Sequence, residues 1–297
     1  MCPRDRGQAL PLGPCGVGTL PEAPVIDSHQ HFWSLGRGDY GWLTPGLQHL
    51  YRDFVPKDLA PLLASYRISG TVLVQAAASD AETDYILQLA ATTSFVKGVV
   101  GWVDMSGPHV RHRLRSLATR QAFRGVRPMI QDIDDDAWML RPELAPAFEE
   151  LVDRRLSFDA LVKPQHLDNL LVLLSRYPSL AVAIDHGGKP NIAAGGLQPW
   201  ARQMQLLAEE TSAVCKLSGL VTEATAAWQS SDLEPFVDHL LTVFGSERLM
   251  WGSDWPVVNL AGGYGRWWQF VQEWLSTRAA ADRAHIMGGT AARFYRL

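Results

Sequence analysis

Two histidines one residue apart, in the stretch Val25-Ile26-Asp27-Ser28-His29-Gln30-His31-Phe32-Trp33, are the first residues whose spacing suits chemistry. Alternate side chains of a strand share a face, so His29 and His31 are expected to point together, with Asp27 beside them. Two imidazoles so placed can hold one metal ion or one anionic oxygen, and they can equally satisfy buried polar groups. The stretch Ala183-Ile184-Asp185-His186-Gly187-Gly188-Lys189-Pro190 ends an apolar run in a histidine. Its glycines let the backbone approach a ligand closely. A third stretch, Leu249-Met250-Trp251-Gly252-Ser253-Asp254-Trp255-Pro256, ends another apolar run in an aspartate flanked by tryptophans. A carboxylate there can act as general base or metal ligand. Its alternative use, capping a helix, needs a helix to follow, and Pro256-Val257-Val258 does not start one at once.

Cations fall at similar places. Phe123-Arg124-Gly125-Val126-Arg127-Pro128 offers two arginines suited to a carbonyl or carboxylate. Lys163 ends the run Leu156–Val162, and Lys216 shares a strand face with Ser218. Cations inside a fold need partners, and Asp27, Asp159, Asp185 and Asp254 are the candidates. Pairing is therefore the first expectation for the two lysines.

Eight short apolar runs must position these groups: Val25–Trp33, Gly70–Ala77, Lys97–Met105, Phe123–Ile130, Leu156–Val162, Leu180–Asp185, Ala213–Ser218 and Leu249–Trp255. Several are nearly continuous in apolar character, as strands buried on both faces are. Amphipathic stretches separate them: Asp80–Phe95, Pro142–Leu156, Gln165–Tyr177, Pro199–Thr211, Leu233–Phe244, Arg266–Arg278 and Asp282–Phe294. This alternation predicts an α/β fold, a (β/α)8 barrel of the TIM type, rather than an open doubly wound sheet. Catalytic groups of such a barrel collect at the C-terminal ends of its strands, where the His, His, Arg, His and Asp above all fall. The connection from Trp33 to Gly70 is far longer than usual and rich in Gly and aromatic residues, so it is expected to wall or cover a pocket.

The composition bounds the function class. Of 297 residues, 47% are hydrophobic and 20% charged, which excludes a disordered chain and leaves enough apolar material for a large core. The 27 Lys and Arg against 31 Asp and Glu give a net charge of −4, which supports neither a nucleic-acid nor an anionic-membrane partner. Cys2, Cys15 and Cys215 form no CxxC, which fits a reducing, cytoplasmic compartment. No run suits a transmembrane helix or a signal peptide. Residues 1–24 are read as a mobile leader and 25–297 as one barrel, free to form a homo-oligomer.

Taken together, HQHFW, FRGVRP, FDALVKPQHL, IDHGGKP, CKLSGL and LMWGSDWPV resemble the amidohydrolase superfamily. More narrowly they resemble its sugar-lactone hydrolase branch, which opens L-fucono-, L-rhamnono- and 4-sulfomucono-lactones. The resemblance runs from Val25 to the C-terminus. It implies that His29, His31, His186 and Asp254 line the reaction centre, with Arg124 or Arg127 on the lactone carbonyl or a sugar hydroxyl. Lys189 is assigned to substrate binding, and Trp33, Trp42 and Trp255, near these motifs, are expected either to offer stacking faces to a sugar or to pack in the core. Many members carry a metal-bridging Lys or Glu on the fourth strand and histidines on both the fifth and sixth. Here the fourth strand carries arginine and His166 lies out of register, so two metals are not expected. A single Zn²⁺ on His29, His31 and Asp254, with His186 as a further ligand, is one expectation, and metal-free chemistry is the other. In the implied reaction Asp254 activates water, and His186, an arginine or Zn²⁺ stabilises the oxyanion. The rival expectations are a zinc-dependent decarboxylase of the same superfamily and a ligand-binding barrel without turnover.

Overall fold

The computed structural model describes residues 24–297. The expected leader, with Cys2 and Cys15, lies outside the described residues except for Pro24. Eight parallel strands follow one another in space in chain order: β1 Ile26–Gln30, β2 Gly70–Val74, β3 Val96–Gly101, β4 Phe123–Val126, β5 Ser157–Ala160, β6 Ala181–Ile184, β7 Val214–Leu217 and β8 Leu249–Trp251. A parallel bridge between Gln30 and Trp255 brings the two ends of the sheet together. The outer layer is α1 Pro56–Ser65, α2 Asp80–Thr92, α3 Val110–Ala118, α4 Ala145–Arg154, α5 Leu167–Arg176, α6 Trp200–Glu210, α7 Ser230–Phe244 and α8 Gly263–Leu275. Two short helices follow, α9 Ala280–Ala284 and α10 Thr290–Tyr295. Seventy apolar side chains or more would be hard to hide otherwise: the larger cluster packs between sheet and helices, and a smaller one fills the barrel.

Ile26, Val72, Val74, Val100, Ala183, Val214 and Met250 point into the barrel, and Ala291 and Tyr295 from the last turns plug one end. Counted from these residues, and in β4 and β5 from the outward-packed Val126, Phe158 and Ala160, the period of two places Arg127, Asp159, Asp185, Lys216, Ser218 and Asp254 on the inward face. In β1 the period breaks. Asp27 pairs with Thr71 and Gln30 with Leu73, so one extra residue bulges from β1. The bulge turns Asp27 away from His29 and His31. Asp27 instead accepts hydrogen bonds from Ser253 N (2.8 Å) and Tyr264 Oη (3.2 Å) on the β8 and α8 side, which corrects the expectation of a shared face.

Strands are shorter than their apolar runs. β1, β2 and β8 stop at Gln30, Val74 and Trp251, and the buried residues beyond them are site loops rather than ladder. Two helices went unforeseen. α1 sits inside the long first connection, and α3 hides its apolar spacing of Val110, Leu114 and Leu117 among four charged or histidine side chains. The last expected helix, Asp282–Phe294, is interrupted by a wider turn at His285–Gly289. There a side chain on Gly288 would collide with Pro24 O at 2.0 Å.

Candidate active site

His29 in β1 and His31 just past its end both turn inward. His31 Nδ1 lies 2.8 Å from Val74 O, so it donates its ring proton there and leaves an acceptor lone pair on Nε2. That Nε2 is 3.1 Å from His29 Nε2 and 3.3 Å from Asp254 Oδ1. Asp254 and His186 reach the same point from unusual backbone: their φ values are 56° and 54°, in the left-handed region that few non-glycine residues adopt. The Asp254 amide donates to His29 O at 2.8 Å, which ties the aspartate directly to β1. His186 Nδ1 meets Ser218 Oγ at 2.9 Å. Two glycines make room. A Cβ on Gly219 would lie 2.4 Å from His186 Nδ1, and one on Gly252 would lie 2.8 Å from His29 Cβ.

These groups form one end of a cavity of about 200 Å³. Arg127, His31, His186 and Asp254 supply its polar end, while Trp42, Ala76, Met129, Leu161 and Val257 supply apolar walls. Lys189 lines it too, with φ 50° and its ammonium 2.9 Å from Glu223. Arg127 is buried; it donates to Gln75 O and brings Nη1 to 3.4 Å from His29 Nε2. Trp42 lies across the mouth, 38% exposed, with its indole N–H on Ala76 O at 2.8 Å.

Beneath this layer lies a closed charged network. Lys216 has no exposed surface, and its ammonium contacts Asp159 Oδ2 at 2.5 Å, Asp185 Oδ1 at 2.9 Å and His29 Nδ1 at 3.2 Å. Tyr295 and Ser157 donate to Asp159 at 2.6 and 3.0 Å. An ammonium only donates, so the contact makes His29 Nδ1 an acceptor and leaves the proton of a neutral ring on Nε2, facing His31. Burial and Lys216 hold His29 well below its ordinary value. Burial alone would raise Asp185, but Lys216 and His29 outweigh it and keep that carboxyl well below the usual range. Asp254 follows the same pattern, with His186, the His31 contact and His29 outweighing its burial. Burial pushes His186 down to about 4, so it is neutral at neutral pH.

The donor set suits one metal ion. His29, His31 and Asp254 offer ligand atoms within 4.8 Å of one another, two nitrogens and an oxygen. His31 Nε2 and Asp254 Oδ1 are both acceptors 3.3 Å apart, an arrangement that calls for a proton, a water or a cation between them. The group His29, Asp185 and His186 is also close enough, but the Lys216 ammonium already contacts two of its three members. A second ion there would meet a fixed positive charge.

Three expected residues lie elsewhere. Trp33 is fully buried; its indole donates to Arg52 O at 2.9 Å, and its ring packs on Tyr40, Trp42 and Phe54. Trp255 packs edge-on against Phe32 and Phe54. Both rings therefore support the site's outer wall instead of facing the cavity. Arg124 is one residue out of phase with Gly125 and Arg127. It leaves the barrel interior and caps Gln121 O at 2.6 Å near the N-terminal ends of β3 and β4. His166 is held by Lys163 N and Asp136, and Lys163 donates to Gln131 O, so neither joins the cluster. Sequence reading did not find Tyr295 under Asp159, because nothing local connects a C-terminal tyrosine to β5. It also passed over Met129 on the cavity wall, although that residue follows the FRGVRP motif directly.

The amidohydrolase family model matches residues 26–297. The chain is 44% identical over 276 residues to an L-fucono-1,5-lactonase of Burkholderia ambifaria, covering 92% of this chain and 95% of that one. It is 37% identical to an L-fucono-1,5-lactonase of Burkholderia multivorans, covering 92% and 96%. An amidohydrolase crystal structure from Burkholderia multivorans with bound zinc superposes with a TM-score of 0.88 at 37% identity, covering 93% of this chain and all of that one. Eight parallel strands, polar groups gathered at their C-terminal ends and a family match over almost the whole described chain agree: this protein belongs to the amidohydrolase family.

Proposed function

We propose that the protein is a hydrolase that opens a sugar-acid lactone of the L-fucono-1,5-lactone kind. The observation that carries this reading is the meeting of an ionised carboxylate, a buried guanidinium and a neutral imidazole at one end of a small cavity. At about 200 Å³ that cavity is smaller than sites for drug-sized ligands, which suits a single ring. The similarity to two L-fucono-1,5-lactonases supports the same class of substrate.

Asp254 is the general base. A carboxylate held this low is a weak base toward free water, so it takes the proton only as the attack on the carbonyl acidifies it. Water oxygen bonds to the lactone carbonyl carbon while its proton passes to Asp254. Arg127 and His186 face the developing oxyanion, where fixed donors in a dry site act most strongly. The tetrahedral intermediate then expels the ring oxygen, Asp254 returns the proton to it, and an open-chain hydroxy acid leaves. Lys189 and the exposed face of Trp42 are assigned to the sugar hydroxyls and the ring. A divalent metal, zinc by its donor set, would be held by His29, His31 and Asp254 and would supply Lewis acidity at the carbonyl oxygen.

The test is a panel of sugar lactones followed by acid release, run before and after removal of metal with a chelator. Opening of six-carbon lactones that survives chelation is expected, because Arg127 and His186 can stabilise the oxyanion by themselves. Activity confined to a carboxylated ring and abolished by chelation would instead identify a metal-dependent decarboxylase. Ligand binding with no turnover on any substrate would leave a binding barrel.

A further inference from the structure

We infer that Glu82, which does not line the cavity, is a positioning residue that sets substrate affinity by anchoring the Trp42 platform. The segment between β1 and α1 carries Trp42 over the cavity mouth, and its base is pinned by paired hydrogen bonds between Trp33 and Phe54, both 2.9 Å. Its tip is pinned at the end of β2, and nearer its start Arg37 holds it on α2 through Ala81 O at 3.2 Å and the Tyr85 ring. Trp42 Nε1 donates to Ala76 O at 2.8 Å, Tyr40 Oη donates to Glu82 Oε2 at 2.6 Å, and Ala76 N donates to Glu82 Oε1 at 3.2 Å. One carboxylate therefore holds both the loop, through Tyr40, and the peptide segment on which the Trp42 indole rests. Glu82 is itself fixed: it is fully buried, and its amide donates to Ser79 Oγ at the start of α2.

The energetic logic is asymmetric. A buried carboxylate is costly, and here the contacting donors are a phenol and a backbone amide, with Arg37 Nε only at 3.9 Å. A residue serving the core alone would be replaced by an apolar side chain at no loss, whereas two acceptor oxygens are needed to tie two separate segments together. Trp42 is more than a third exposed, and its ring is oriented by edge-on packing against Trp33 together with the bond to Ala76 O that Glu82 steadies. The inference deepens the lactonase reading in its kinetic consequence, but the anchoring itself does not depend on it.

The test compares Glu82→Gln, Tyr40→Phe and Trp42→Ala in the full chain. In Glu82→Gln one of the two donors loses its acceptor, and Tyr40→Phe is the gentler break if the first variant folds poorly. Backbone hydrogen exchange over residues 36–50 is expected to rise in both, while the barrel strands keep their protection. With a lactone that the wild type opens, each is expected to raise KM about three- to ten-fold, the loss of one aromatic contact, with kcat little changed. In the Trp42→Ala background, Glu82→Gln is expected to add nothing further to KM. Unchanged exchange in residues 36–50 overturns the anchoring whatever the substrate is. An equal KM effect with and without Trp42, or a loss of kcat at constant KM, overturns the route through Trp42. A wild type that opens no lactone defeats the proposed function and leaves the exchange measurement to decide the anchor.

Discussion

Two polar layers lie one above the other in this barrel, and each holds a buried cation and a buried carboxylate. The lower one, Lys216 with Asp159, Asp185 and Tyr295, is closed: each charge meets its opposite within 3 Å and none is exposed. The upper one, His31, His186, Arg127 and Asp254, opens on a cavity. His186 and Asp254 sit on left-handed backbone, and two acceptors, His31 Nε2 and Asp254 Oδ1, crowd against the single ring proton of His29. The difference separates support from chemistry. A buried ammonium already paired with two carboxylates has no charge left for a substrate, whereas the upper layer opens on the cavity and meets whatever enters it.

Breaking the upper layer should cost turnover and leave the fold. Asp254→Asn is expected to lower kcat about 10²–10⁴-fold, as loss of a general base does. Circular dichroism and the denaturation midpoint should stay near wild type, and near-normal turnover would remove Asp254 from the assigned role. Arg127→Ala is expected to lower kcat about 10²–10³-fold, the cost of one oxyanion donor. Breaking the lower layer should cost stability first. Lys216→Met leaves two carboxylates buried without a cation and is expected to destabilise the protein by about 3–5 kcal/mol, read by urea unfolding. If Lys216→Met unfolds normally yet loses activity, the division between the layers is wrong.

Glu82 sharpens the comparison from outside the barrel, as a buried carboxylate with no cation in contact. Asp185, against Lys216, stays well below the ordinary carboxylate range, while burial pushes Glu82 up to about 7 from 4.5. Between about 4.5 and 7 Glu82 binds more protons in the native than in the unfolded state, so its own contribution to stability is expected to fall as pH rises through that window, by at most about 3 kcal/mol, while His29 and His186, held low, contribute the opposite slope. The stability difference between wild type and Glu82→Gln is expected to carry the Glu82 slope, and a difference independent of pH would overturn it. The smallest effect belongs to Arg124→Ala. Its guanidinium is outside the barrel interior, so kcat/KM should stay within about two-fold of wild type, well under the span of an ordinary catalytic loss.

The barrel was readable because eight apolar runs alternating with amphipathic ones have few other ways to bury themselves. The site was readable in outline because its residues end those runs. Lys216 was expected to pair, and Asp159 and Asp185 stood among its candidate partners. Arg124 and Arg127 could not be told apart without knowing which strand residue faces inward. Trp33 and Trp255 were assigned by nearness along the chain, yet large rings beside a site are as often its outer packing as its lining. The face of Asp27 could not be known, because a one-residue bulge reverses every side chain beyond it and leaves no mark in composition.

By itself, then, the sequence determined the periodicity, and through it the fold class, the end of the barrel that carries chemistry and the residue types gathered there. Those follow from local propensity and the need to bury apolar surface. Tertiary structure alone decided which imidazole nitrogen meets which carboxylate, which arginine enters the barrel, and that a tyrosine near the C-terminus supports Asp159 from below. These depend on register, on left-handed backbone at His186 and Asp254, and on contacts between residues more than a hundred positions apart, which no local pattern encodes.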